Sequence, residues 1–111
     1  MRSITAGNNL TAATPTVIYT VPTGYYAKWN LLYALNGTGS TKYLTVTWHD
    51  ASAGIDINIL YQYTVNSKEF FKIGDGNYMV MEEGDYITVT SEAGSTYTTI
   101  ATFEQTKKEG I

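Results

Sequence analysis

The sequence predicts an all-β protein, an antiparallel β-sandwich of about eight strands, jelly-roll-like or Ig-like. Apolar and aromatic residues recur at every second position over long stretches, most regularly over 25–35. A period of two indicates a strand, because successive side chains point to opposite faces. Turn residues recur at intervals of roughly 8–12 residues, a spacing typical of sandwiches. The 10 Tyr and the many Thr also suit a pleated, half-buried surface.

The chain divides into three parts, taken in order. Residues 1–16 are rich in Thr, Ala, Asn and Gly, and we expect an extended N-terminal arm or a first edge strand there. Residues 17–106 are expected to form the sandwich, and 107–111 a short C-terminal tail. A length of 111 residues is natural for one domain.

Each predicted strand ends where Gly, Pro, Asn, Asp or Ser residues cluster, because these residue types favour turns. The predicted strands are 17–21, 25–36, 42–49, 55–63, 69–73, 78–81, 86–90 and 97–105. In the stretch from Tyr25 to Trp48, the alternation predicts that one set of apolar residues faces the core. That set is Trp29, Leu31, Leu44, Val46 and Trp48.

Composition argues against several function classes. The net charge is −3 and the basic residues are scattered, whereas nucleic-acid binding needs clustered positive charge. The absence of Cys excludes a disulfide framework and thiolate chemistry within these residues. No run approaches the roughly 18 apolar residues of a membrane span, and no signal peptide is visible. We therefore expect a protein made in a cytoplasm, with no nucleic-acid or membrane partner.

No catalytic constellation is visible. His49 is the single histidine, and its position predicts an ordinary surface side chain. The acidic cluster Glu82, Glu83 and Asp85 lacks the spacing of a calcium loop, so we expect a solvated turn. The sequence pairs no two carboxylates and contains no nucleophile elbow. We therefore predict a protein that is not an enzyme, with no catalytic residues, metal site or cofactor.

Several large apolar residues lie out of phase with the expected core. A bulge that resets the phase, or a two-layer fold that covers part of each face, would explain them structurally. The alternative is a contact surface, where Tyr and Met are enriched. The candidate interface residues are Tyr26, Leu32, Phe70, Phe71, Tyr78 and Met79.

Three short elements resemble small β-sandwich virion proteins of tailed bacteriophages. The elements are TVIYTVPTGYYA at 16–27, an Asn-Gly-Thr-Gly turn at 36–39 followed by Leu-Thr-Val at 44–46, and MEEGDYITV at 81–89. The resemblance spans about residues 16–104 and implies a structural subunit of the virion. It implies capsid decoration or cementing as the first expectation, with a tail or neck accessory role as the alternative. The expected partners are major capsid or tail proteins and further copies of the chain, after synthesis in the host cytoplasm. From a different class, a carbohydrate- or receptor-binding module stays open, because exposed aromatic rings stack on sugars.

Overall fold

The computed structural model describes residues 1–74 and 76–108, and within these residues the chain forms nine strands and no helix. The strands are β1 (Arg2–Asn9), β2 (Thr16–Thr20), β3 (Tyr25–Asn36), β4 (Lys42–Asp50), β5 (Ile55–Val65), β6 (Phe70–Ile73), β7 (Met79–Met81), β8 (Tyr86–Ser91) and β9 (Tyr97–Lys107). The predicted all-β antiparallel sandwich is confirmed. The ninth strand is β1, which lies in the segment expected to be an arm or a first edge strand. Residues 109–111 of the expected C-terminal tail lie outside the described residues.

The strands form two antiparallel sheets. One has five strands in the order β1-β9-β3-β6, with β7 also paired to β3, and the other has four in the order β2-β8-β4-β5. The sheet edges therefore differ in kind. Strand β2 is a five-residue edge between Pro15 and Pro22, whereas β5 is an eleven-residue edge without proline.

A bulge in β3 reverses the alternation that the sequence shows. The register of β3 against β9 shifts between Trp29 and Leu31. Before the shift the odd-numbered Trp29 is buried, and after it the even-numbered Leu32 and Ala34 are fully buried. The extra residue of a bulge turns the following side chains to the other face. The prediction that Leu31 faces the core and Leu32 the outside is therefore wrong, and the bulge alternative is the physical reason.

Both sheets contribute their inner faces to one core. Its fully buried members include Leu32 and Phe103 from the five-stranded sheet and Leu44, Val46 and Ile87 from the four-stranded sheet. Trp48 is only half-buried, at the rim. This packing is the principal stabilising contribution, because buried apolar area contributes about 25 cal/mol per Å².

Tyr97 ties the two sheets together at one end of the sandwich. Its ring is buried, and its hydroxyl donates a hydrogen bond to the Lys42 carbonyl oxygen at 2.9 Å. Burial, together with the nearby Glu92 carboxylate, raises the pKa of Tyr97 to about 12. The neutral phenol is therefore the form that the fold holds.

Candidate interaction surfaces

The six predicted interface residues divide equally between the two faces of the five-stranded sheet. Phe70 and Tyr78 are exposed, and Tyr26 is half-buried on the face opposite Ala27. The other three residues face the sandwich interior: Leu32, Phe71 and Met79.

Leu32 is fully buried, so the prediction that it offers an outward surface is wrong. Phe71 and Met79 are half-buried and pack against the core. Phe71 lies opposite the buried Ala34, and Met79 lies opposite Trp29. Each of the adjacent pairs 70–71 and 78–79 thus has one side chain outside and one inside, as a period of two requires.

An aromatic patch covers part of the outer face of the five-stranded sheet. The rings of Tyr33 and Phe70 lie 5.0 Å apart, and Phe70 is 56% exposed. Ile100 is paired with Tyr33 across the ladder, and Leu35 is paired with Phe70, so these four side chains share one face. The patch consists of Tyr33, Leu35, Phe70 and Ile100.

A second apolar surface lies along β5. Ile57 is paired with Trp48, and Tyr63 with the buried Leu44, so both lie on the inner face of their sheet. Ile57 is nevertheless 41% exposed and Tyr63 47%. The opposite edge of the five-stranded sheet consists of the short strands β6 and β7, which explains this exposure. The residues Ile55, Ile57, Ile59 and Tyr63 are called the β5 flank.

The sequence predicts the strand that carries the β5 flank, but it does not predict that these side chains are exposed. Its odd-numbered stripe was visible as a strand pattern. An alternating stripe has the same appearance in a central strand and in an edge strand that overhangs its partner sheet. The one available signal was the scarcity of charge, since Asp56 is the single charged residue of Ile55–Val65.

A pocket of about 240 Å³ opens beside the β5 flank. It lies where β3 leaves β7 and has not yet met β6, so the bulge at Asn30 forms part of its wall. Trp29 and Met79 line it from one sheet and Ile59 from the other, and its surface is mainly apolar. Tyr63 and Phe71 close the gap between the sheets on one side, with ring centroids 5.1 Å apart.

Gly74 holds the rim of this pocket in place. Its φ of +116° is in the left-handed region, and a Cβ atom there would lie 2.0 Å from the carbonyl oxygen of Asn30. Only glycine allows the backbone to approach the bulge so closely. The close approach fixes the backbone at the end of β6 against the bulge.

His49 lies on the outer face of the four-stranded sheet, as predicted, but it is not isolated. Its Nδ1 atom lies 2.6 Å from Oδ1 of Asp56, and its ring stacks on Tyr86 at 4.4 Å. His49 and Asp56 are direct partners in the β4–β5 ladder. The contact therefore fastens the first part of β5 to its neighbour.

The acidic turn before β8 is not the solvated turn that the sequence suggested. Asp85 is 1% exposed. Its carboxylate accepts hydrogen bonds from the N–H groups of Ala51 and Glu82, at 2.9 and 3.0 Å, and from the indole N–H of Trp48 at 3.3 Å. A buried carboxylate needs such donors, and here they join two turns to the rim of the core.

Glu83 also has a structural role. It accepts hydrogen bonds from the Lys108 ammonium at 2.6 Å and from the Gly24 N–H at 3.1 Å. The Lys108 hydrogen bond, reinforced by Gly24, lowers the pKa of Glu83, and the same pair raises the pKa of Lys108. The end of β9 is thereby held against the turn between β2 and β3.

Among residues 1–74 and 76–108, no group of three or more His, Cys, Asp or Glu side chains is placed to hold a metal ion. Within the same described part of the chain, no helix is long and apolar enough to cross a membrane.

Comparison with known proteins finds a structural likeness. No family model matches the chain, and no curated protein matches it. Among solved structures, it is similar to a protein of Bacillus endospore appendages, described as a novel family of disulfide-linked pili. The TM-score is 0.57 with 15% identity, and the alignment covers 96% of this chain and 85% of that one. At this identity the likeness shows a shared fold.

Proposed function

We propose that this protein is a non-catalytic structural subunit that assembles with further copies of itself, and that the β5 flank is its principal contact surface. The observation that carries the proposal is the exposure of Ile57 and its neighbours on a long edge strand. An edge strand presents unpaired N–H and C=O groups, so a second chain can extend the sheet there. The same partner strand would cover the apolar side chains of the flank.

The two edges of the four-stranded sheet differ in the devices that prevent pairing. Strand β2 is short and has proline on both sides, which blunts an edge. Strand β5 has neither proline nor lysine. Two register shifts against β4 leave Ile55–Asn58 as its longest regular part. We therefore place the intermolecular pairing along Ile55–Asn58.

Two likenesses support an assembling subunit, and they favour different assemblies. The structural neighbour belongs to disulfide-linked pili, but this chain contains no Cys, so an assembly of it would rest on non-covalent contacts. The sequence resemblance favours a decoration or cement subunit of a phage capsid, bound to the major capsid protein, with a tail or neck position as the alternative. We keep the virion as the proposed location. Imaging of particles made with and without the protein distinguishes capsid from tail.

Self-assembly is tested by a matched pair of lysine substitutions on the two edges. In I57K, assembly would bury an unpaired ammonium, so we expect the concentration for half-assembly to rise at least about tenfold, the equivalent of about 1.4 kcal/mol. V17K changes a comparably exposed residue, 52% exposed, on the blunted β2 edge, and is expected to assemble like the wild type. Light scattering measures assembly, and circular dichroism checks that both variants fold. A wild-type chain that stays monomeric at high concentration contradicts the proposal, and so does an I57K variant that assembles normally.

The pocket beside the flank favours a carbohydrate-binding module as the second candidate. Asn30 and Asn77 are among the residues that line it, together with Tyr78, which is 58% exposed. Amides and an aromatic ring are the groups that hold a sugar ring. Glycan-array binding that disappears in Y78A, with assembly unchanged, would select this function.

A further inference from the structure

The N-terminal strand is paired with a single strand of its sheet. Strand β1 lies at the edge of the five-stranded sheet and pairs with β9 in unbroken register from Arg2 opposite Gln105 to Asn9 opposite Thr98. Ile4 and Ala6 pack against the core, yet both are only half-buried. Of residues 1–17, all of them described, none is fully buried. Strand β1 therefore contributes no fully buried side chain to the core.

The connection that follows β1 is short and strained. Residues 10–15 cross from one sheet to the other, and the Thr14 N–H donates to the Thr11 carbonyl oxygen at 3.2 Å to close a turn. Inside this turn Ala13 has φ 61°, a left-handed conformation that costs a non-glycine residue about 1–2 kcal/mol. An extended connection would release this strain. The residue before Pro15 also favours extended backbone.

One position on β1 is imperfectly satisfied where it meets β9. Asn8 is paired with Thr99, and both Oδ1 of Asn8 and Oγ1 of Thr99 are buried without a hydrogen-bond partner. Buried unpaired polar atoms weaken the docking of a strand, because water satisfies them when the strand leaves. The unpaired oxygens therefore lower the barrier to release of β1.

We propose that β1 is exchanged between copies, so that β1 of one subunit lies on β9 of another in the register seen within one chain. The β1–β9 pairing within one chain shows that the two strands are complementary, and β9 of a second copy presents the same residues to β1. Exchange then changes little beyond the connection, which makes it a low-cost route to association. Reciprocal exchange gives a dimer, and exchange in one direction gives an open chain.

The connection is long enough to reach a neighbouring subunit. Six extended residues span about 20 Å. The shortest extent of the molecule is also 20 Å. This exchange rests on the proposed self-association. It would link the copies non-covalently, in a chain that contains no cysteine.

The absence of native cysteine permits a direct test by disulfide trapping. Thr5 and Thr102 are direct partners across β1 and β9, and a cross-strand pair has the Cα separation that a disulfide requires. Thr47 and Thr88 are the matched control, since they are partners across β4 and β8, which do not exchange. Assembled T5C/T102C is oxidised and run on a denaturing gel without reductant, beside T47C/T88C.

Strand exchange predicts covalent dimers or ladders from T5C/T102C and intramolecular bonds alone from T47C/T88C. Co-expressed T5C and T102C single variants should likewise yield a mixed disulfide dimer, identified by its mass. If assembled T5C/T102C closes only within one chain, or if the co-expressed single variants give no mixed dimer, strand exchange is overturned while self-assembly stands. A chain that never assembles in light scattering overturns the proposed function instead.

Two substitutions of Ala13 in the connection supply a second test, because they should change the extent of strand exchange in opposite directions. A13G removes the left-handed strain in the closed form, so the equilibrium constant for exchange should fall about fivefold. A13P forbids positive φ and removes the N–H that donates to the Ser91 carbonyl oxygen, so the interchain fraction should rise. Equal interchain fractions in A13G and A13P would contradict the proposal.

Discussion

Replacement of Asp85 by alanine should destabilise the fold by about 3 kcal/mol, because the buried carboxylate accepts hydrogen bonds from three donors. Its two backbone donors belong to Ala51 and Glu82, in two different turns, and its third is the indole N–H of Trp48. Removal of the carboxylate leaves all three without their partner. It also separates the turn before β8 from the turn after β4.

The magnitude follows from the geometry. A hydrogen bond to a charged group contributes about 1.5–3 kcal/mol. The bonds from Ala51 and Glu82, at 2.9 and 3.0 Å, count in full, whereas the bond from Trp48, at 3.3 Å, is long and counts for less. Ala51 and Glu82 are themselves exposed, so water recovers part of the loss. We expect about 3 kcal/mol for D85A and about half of that for D85N, which keeps one acceptor oxygen.

Urea unfolding followed by tryptophan fluorescence measures the change. With a slope of about 1.5–2 kcal/mol/M, the midpoint of D85A should fall by about 1.5–2 M. E82A is the matched control, because it removes an exposed acidic side chain from the same turn and should stay within about 0.5 kcal/mol of wild type. A D85A midpoint equal to that of E82A would refute the argument that buried hydrogen bonds, rather than exposed charge, give this turn its role.

Two further predictions concern backbone geometry and pH. G74A should destabilise by about 2–4 kcal/mol, since it combines a left-handed φ with a clash against the Asn30 carbonyl; G39A, where a Cβ meets nothing within 4 Å, should be nearly neutral in the same thermal melts. The pairing of Glu83 with Lys108 lowers the pKa of Glu83 and raises the pKa of Lys108. The ion pair therefore stabilises the fold fully between the ordinary pKa values of the two groups, 4.5 and 10.5. The stability difference between wild type and E83Q should therefore fade as the pH drops through the folded-state pKa of Glu83, or rises through that of Lys108; a constant difference from pH 3 to pH 11 in urea titrations would contradict it.

Much of the fold is legible in the sequence because strands impose a period of two. The bounds of β3 at Tyr25 and Asn36 are those that the alternation and the following turn predict. The alternation also predicts that one of Phe70 and Phe71 points outward and the other inward. It does not say which, because that depends on which face of the strand is turned to the core. The face itself depends on the bulge at Asn30, which depends in turn on how β9 pairs with β3. Such a long-range register shift leaves no local mark, so Leu31 and Leu32 exchange their predicted places.

The candidate surfaces are less predictable than the fold. The exposure of Ile57 follows from the shortness of strands in the opposite sheet, and strand order cannot be derived from one sequence. Asp85 has the same local appearance as its solvated neighbour Glu82, and only the tertiary approach of Ala51 and Trp48 distinguishes the two. Edge position and burial are properties of the assembled sandwich.

The central claim, that copies associate along β5, is tested most directly by residue-resolved hydrogen exchange in dilute and concentrated solutions. Pairing along Ile55–Asn58 engages amides that face away from β4, so their exchange should slow as the concentration rises. The β2 amides at Thr16–Thr20 serve as the internal control and should not change. Exchange rates in Ile55–Asn58 that are independent of concentration, while light scattering reports assembly, would contradict the claim and assign the contact to another surface.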